Sequence, residues 1–337
     1  MRKLLPEHGW WALAAAVLFL AHASVYAYFF VDDEGITLVY ARHLLDGHGL
    51  SYAVSEGPSE GYSNLLHVIV MSGVLGLVRL AGLAPIWTFA AGDLISLTCG
   101  AALVVLVWQL AARLGFSPLA RTTGALLLAA SGPLAVWSNS SLETVPFALA
   151  FMTLVAVTLP DIQPRATSLL AAAVMLMRID GALYVAVWLA ARFAAGDAAA
   201  RRELLRRVAP AVIATGVAYT VVRFLYFGDL LPLPLQTKVA HKLADSSGAV
   251  VWTTSHQYLL AFLKHGAWPL AIGLAAVAAA AARGRRHDAV FALAGAVAAL
   301  GAYVSTVGDW MFGFRFFVPL LAPLAVLSAA GASALDR

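Results

Sequence analysis

Residues 10–30 are apolar almost without a break, and runs of the same kind recur to the end of the chain. The others lie at 64–82, 86–112, 122–137, 145–160, 166–178, 181–195, 208–227, 267–282, 288–306 and 314–333. A helix of about 20 apolar residues crosses a bilayer, because its backbone groups bond internally while its side chains meet hydrocarbon. A chain made of such runs folds as an all-α bundle within a membrane. Of its 337 residues 61% are hydrophobic and 12% charged, whereas a soluble domain is about one quarter charged. The net charge of +4 does not point to nucleic acid, since the Lys and Arg residues stand in short clusters between apolar runs. There such clusters orient helices. The one cysteine, Cys99, lies in an apolar run and leaves no internal disulfide or thiolate metal site to build.

Arg2 and Lys3, an apolar run and then Ala21-His22-Ala23 have the form of a signal peptide. The run continues past Ala23 to Phe30, long enough to span, so an uncleaved first helix is expected. Basic clusters at Arg2/Lys3, Arg113/Arg121, Arg201/Arg202/Arg206/Arg207 and Arg283/Arg285/Arg286 should all be cytoplasmic. The runs between the later clusters give even crossing counts. The runs between Lys3 and Arg113 give an odd one, so one of them does not cross. The weakest is 64–82, which holds His67, Arg79 and several glycines and reads as a helix along the outer surface. About ten spans with both termini cytoplasmic result. The chain is then one integral-membrane domain over 1–337. Its first extracytoplasmic loop, with juxtamembrane helices, covers 31–82, a larger one covers 228–266, and no separate soluble domain is expected.

The polar residues gather on the outer side. Asp32 and Asp33 are read as ending the first helix, where the helix dipole does not favour acids. They are a solvated helix end, or a general base or metal ligand. Glu60 and Tyr62 follow in the same loop, in a segment that taken alone would be a turn. In "NSSLETVPF", Glu143 opens a helix with Ser140 or Ser141 as expected N-cap. "MRIDGAL" sets Arg178 and Asp180 between two runs, where they can simply pair. The loop after Gly228 adds Asp229, Lys238, His241 and Lys242, and "VGDWMFGFRFF" adds Asp309, Trp310 and Arg315. Acids for proton transfer beside cations for an anion suit a lipid phosphate substrate. The cytoplasmic loops hold no nucleotide-binding motif.

Six segments, "DDEGITLVYARHLLDGHGLSY", "EGYSN", "SSLETVPF", "RIDGAL", "YFGDLLP" and "GDWMFGFRFFVPLL", stand in this order along the chain. Together they resemble the GT-C class of polytopic glycosyltransferases. More narrowly, they resemble the bacterial branch that includes the mycobacterial terminal β-(1→2)-arabinofuranosyltransferase. Ile179 stands where that branch often has proline, and Leu233-Pro234 where it commonly has Asn-Thr. The resemblance implies transfer of a glycosyl group, arabinofuranosyl in that branch, from a polyprenyl-phosphate sugar. The acceptor is a glycan, lipid or protein hydroxyl at the extracytoplasmic face of the plasma (inner) membrane, in cell-envelope or glycoprotein synthesis. It implies catalytic roles for Asp32, Asp33 and Glu143. Arg178, Lys238 and Arg315 then serve the lipid phosphate, and Glu60, Tyr62, Asp180, His241, Asp309 and Trp310 the substrates. No cofactor is required by the sequence; a divalent metal on Asp33 and Glu143 stays open. The competing reading is a transporter or flippase for a lipid-linked sugar, which should place ionisable groups near the bilayer midplane rather than in outer loops.

Overall fold

The computed structural model describes residues 9–159, 161–236, 249–266, 288–307, 309 and 311–335. Lys238, His241, Lys242, Trp310 and the apolar run 267–282 lie outside them. All regular structure among the described residues is helical. In chain order the helices are α1 (Trp10–Ala23), α2 (Asp33–Leu45), α3 (Leu65–Leu80), α4 (Trp87–Arg113), α5 (Pro118–Ala129), α6 (Gly132–Trp137) and α7 (Thr144–Val157). They continue with α8 (Pro164–Met177), α9 (Gly181–Ala195), α10 (Ala198–Glu203), α11 (Ala209–Phe227), α12 (Ala249–Gly266), α13 (Asp288–Val307) and α14 (Val318–Leu335).

Most helix ends fall within a few residues of the apolar runs, because the runs end at residues that stop helices. Two runs depart from expectation. The first leaves the α-helix at Ala23, tightens into a 3₁₀ turn over Ser24–Tyr26, and frees Phe29 and Phe30. The run 122–137 is two helices, α5 and α6, broken at Ala130-Ser131, where Pro133 starts the second. Among the described residues 4 stretches are, by length and composition, long and apolar enough to cross a membrane: Trp87–Arg113, Ala198–Phe227, Asp288–Thr306 and Arg315–Ala334. The second of these runs from α10 to α11 through a π turn over Leu204–Val208. α1, α3, α7, α8 and α9 are shorter apolar helices. The chain is an integral membrane protein.

The centre of the bundle is α7 and α14, each packed on several neighbours. Trp108, Trp137, Trp188, Phe147 and Phe151 are fully buried around them. α4 presents Thr88, Gly92, Ser96 and Gly100, spaced by four and so on one face, to the segment before α7. A Cβ at Gly92 would collide with the Cβ of Ser141, and one at Gly100 would stand 2.7 Å from Ser138 Oγ. The glycines therefore let a polar loop lie directly against a membrane helix.

α2 and α3 pack along each other in the same direction. Asn64 donates to Thr37 near their starts, and Arg79 pairs with Asp46 at their ends. α3 buries His67, Val68, Met71, Ser72, Leu75 and Val78, while Ile69, Val70, Leu77 and Leu80 face outward. An apolar outer face on a helix bound to α2 suits a position along the membrane surface. We therefore expect the turn after α3 to be extracytoplasmic. Gly82 has φ 70°, which disfavours a side chain, so the reporter belongs at the exposed Leu83. Leu83→Cys in a Cys99→Ala background should react with a membrane-impermeant maleimide on intact cells. Labelling only after permeabilisation would place the turn in the cytoplasm.

Candidate functional site

Asp32 does not end α1. It caps the N-terminus of α2, its Oδ1 accepting from the Asp33 amide at 3.0 Å, and Asp33 and Glu34 occupy that helix's first turn. The positive end of the α2 dipole thus favours all three acids, which corrects the sequence expectation. The cause is the early stop of α1: the aromatic residues after Ala23 form a turn that carries the chain into a second helix.

The three acids then divide. Asp32 is exposed and bonds only locally among the described residues. Glu34 is buried and reaches the loop before α7. One of its oxygens accepts from Ser141 N at 3.1 Å and Ser141 Oγ at 2.6 Å, the other from Val31 N at 3.2 Å. Asp33, between them, turns toward Arg315, with Oδ2 at 3.7 Å from Nη1.

Glu143 stands at the N-cap of α7 but caps nothing with its side chain, and neither serine takes that role. Ser140 accepts from Leu142 N, and Ser141 is committed to Glu34. Glu143 is buried and accepts from Asn64 Nδ2 at 2.7 Å. Its other oxygen is 3.7 Å from Nη1 of Arg178. Arg178 lies in the break between α8 and α9 and grips Asp180 through both Nε, at 2.8 Å, and Nη2, at 3.0 Å. The break needs Gly181, because a Cβ there would run into the carbonyl of Val174. Burial alone would raise the Glu143 carboxyl. Arg178, His67, Arg315 and Asn64 together outweigh it and hold the group below the ordinary glutamate value. His67 bonds the carbonyl of Ser141 through Nε2 at 2.7 Å, and since a carbonyl only accepts, that nitrogen carries the proton.

Arg315 follows two residues at positive φ. Gly313 has φ 77°, and Phe314 at φ 54° is the one non-glycine residue at positive φ among the described residues. Trp137 Nε1 donates to Gly313 O at 3.0 Å, and a Cβ at Gly313 would press on the same indole. The Phe314 ring packs on Tyr258 and Phe262 of α12. Strained backbone persists where its surroundings over-determine it, and such places cluster at functional sites. The effect here is to fix Arg315 with its guanidinium 5.6 Å from the centre of the Trp137 ring and 4.9 Å from that of Phe316. Arg178 sits 5.2 Å from the same Phe316 ring and 5.1 Å from Phe147. Two arginines thus share one aromatic ring, each with acids: Asp33 and Asp309 for Arg315, Glu143 and Asp180 for Arg178.

Glu60 belongs to a different group. Its carboxylate is 2.6 Å from Nε of Arg223 and accepts from Tyr219 at 3.3 Å, and its carbonyl accepts from Leu233 N at 3.1 Å. Burial pushes the Glu60 carboxyl up, and Arg223 offsets this only in part. Tyr62 is buried among Tyr40, Val68 and Phe227, so it packs rather than reaching outward. The pair seals the first loop to the end of α11. The loop still serves the site, because Asn64 lies four residues beyond Glu60. Sequence reasoning missed Glu34, Asn64 and Arg223 as site residues. Arg223 had a signal, being a lone cation in an apolar run. Among the described residues there is no group of at least 3 His, Cys, Asp or Glu placed to hold a metal ion. Asp33 and Glu143 are each drawn to an arginine instead.

The described residues form an all-helical bundle whose interhelical loops converge on one polar cluster. Among solved structures it is similar to ArnT from Cupriavidus metallidurans bound to undecaprenyl phosphate. It is similar in the same way to ArnT in the apo state. Both have TM-score 0.57 and 17% identity over 97% of this chain, which spans 59% and 60% of their length. The likeness is one of fold. No protein-family model matches the chain, and no curated protein does.

Arg178 is the charge on which the cluster closes. Arg178→Met would leave Glu143 and Asp180 buried without their cation, at a cost of about 3–5 kcal/mol. A melting temperature well below wild type is expected, with a smaller loss for Arg178→Lys; equal melting would show the pair to be dispensable. Glu143 adds a pH dependence. Its folded value is depressed, so its contribution is present above the ordinary value of 4.5 and lost as pH falls through the folded one. Thermal stability should fall on acidification below about 4.5, less so in Glu143→Gln.

Proposed function

We propose that this chain transfers a glycosyl group from a polyprenyl-phosphate sugar to a hydroxyl acceptor at the extracytoplasmic membrane surface. The observation that carries the reading is the pair of arginines on Phe316 with the half-exposed Asp33 beside one of them. The fold likeness to a protein bound to undecaprenyl phosphate supports it. An apolar cavity of about 320 Å³ supports it too; Phe262, Val297, Gly301, Phe317 and Leu324 line it. It begins two residues from Arg315, a position suited to the lipid part of an amphiphilic donor. The sugar of the arabinofuranosyltransferase branch, arabinofuranose, is the first donor to try.

In this reading Asp33 takes the proton from the acceptor hydroxyl as its oxygen bonds to the anomeric carbon. The carbon–oxygen bond to phosphate breaks, and its electron pair leaves with the phosphate. Arg315 and Arg178 stabilise the charge that builds there, as preorganised donors do in a site shielded from water. Asp309 and Asp180 hold the two guanidiniums in place. Glu143 orients the cluster through Arg178 and Asn64.

The test is transfer or hydrolysis of synthetic polyprenyl-phosphate sugars by the chain in nanodiscs. Asp33→Asn should lower kcat by about 10²–10⁴ with a melting temperature near wild type. Arg315→Gln should lower kcat and kcat/KM together, as loss of a transition-state contact does. Full turnover in Asp33→Asn and Asp32→Asn alike would leave the acids as a helix cap only.

A further inference from the structure

Arg315 serves two carboxylates that are held with unequal firmness. Asp309 is 2% exposed and lies 3.3 Å from Nε, while Asp33 is 37% exposed and lies 3.7 Å from Nη1. The guanidinium itself has little freedom. Trp137 and Phe316 cover its faces, and the Gly313-Phe314 turn sets its root. Asp309 is further fixed by the Met311 amide at 3.2 Å. Asp33 stands at ion-pair distance but outside hydrogen-bond distance, at the solvent side of a fixed cation. Such a half-exposed partner exchanges readily for a better one. A phosphate is a better one, since its oxygens accept two parallel N–H bonds from a guanidinium.

We infer that Asp33 is held by Arg315 until a donor phosphate takes its place, so that donor binding releases the base. The inference rests on the transfer reading above and concerns how that site is switched. While Arg315 holds Asp33 at 3.7 Å, the carboxylate is turned toward the guanidinium and not toward an incoming hydroxyl. When the phosphodiester takes the Arg315 N–H groups, Asp33 is left free to turn toward the acceptor hydroxyl. It does so beside the anomeric carbon that the acceptor must attack. The donor therefore binds first and the acceptor second. A hydroxyl that arrives without the donor meets a carboxylate that is still engaged.

Binding of undecaprenyl phosphate to the full chain in nanodiscs tests this without turnover. Competition predicts that Asp33→Asn binds the lipid phosphate more tightly than wild type, by about 3- to 10-fold in Kd. Arg315→Gln should bind it more weakly. The Asp33→Asn gain should vanish in the Arg315→Gln background, because no cation is left to contest. Unchanged or weaker binding by Asp33→Asn overturns the exchange. So does a gain of the same size in the double variant, which would be plain charge repulsion. Should an arginine variant fail to fold, carbodiimide labelling of wild-type Asp33, read by mass spectrometry, decides. Labelling should rise on addition of undecaprenyl phosphate, and constant or falling labelling overturns the exchange. The two claims fail separately. Product formation without the binding pattern leaves the transfer reading standing and removes the switch. The binding pattern without product from any lipid-phosphate sugar leaves the exchange and removes the transferase.

Discussion

Arg178 is buried, and a buried guanidinium has to be answered by charge and hydrogen bonds. Asp180, two residues on, answers it from the same break between helices, and Glu143 answers it from the head of α7. Those contacts tie α7, α8 and α9 together at one end. From Glu143 the network continues through Asn64 into the first loop and through Thr37 into α2. Glu34 returns from α2 to the loop before α7. One closed set of polar bonds therefore links the first loop, the loop before α7 and the break between α8 and α9. Phe316 brings the Arg315 segment to the same place by lying against both arginines.

This economy of pairing explains why so much charge can lie near hydrocarbon. Isolated, each acid would be costly there. In the cluster the acids outnumber the two arginines, and the excess is managed by position. Glu34 is satisfied by amides and a hydroxyl, Asp309 and Asp180 by the arginines they hold, and Glu143 by Asn64 and Arg178. Asp33 alone of these is half in water, with a long contact to a fixed arginine. The group with the least claim on its partner is the one we propose as the base.

Much of the helical framework was legible in the sequence, because apolar runs and helix-stopping residues carry it directly. The ends of α4, α8, α9 and α11 fall within a few residues of the runs. The acids at 32–34 were visible as an anomaly, but Asp32 and Asp33 were assigned to the wrong helix, since apolarity does not reveal that α1 stops at Ala23 and turns. The pairing of Arg178 with Asp180 could be foreseen from spacing. The meeting of Asp33 with Arg315, far apart in sequence, could not, and neither could the diversion of Glu60 to Arg223. Contacts of that kind depend on how loops cross the ends of a bundle, and no local periodicity encodes them. The glycines of α4 were readable as small residues, but not as the seat of the Ser138–Ser141 loop.

The central claim is that a lipid phosphate docks on Arg315 beside Asp33. A cryo-electron microscopy structure of the chain in nanodiscs with undecaprenyl phosphate tests it most directly. The account predicts the phosphate within hydrogen-bond distance of the Arg315 guanidinium and Asp33 turned away from it. A phosphate bound elsewhere, with the Asp33–Arg315 pair intact, would contradict it.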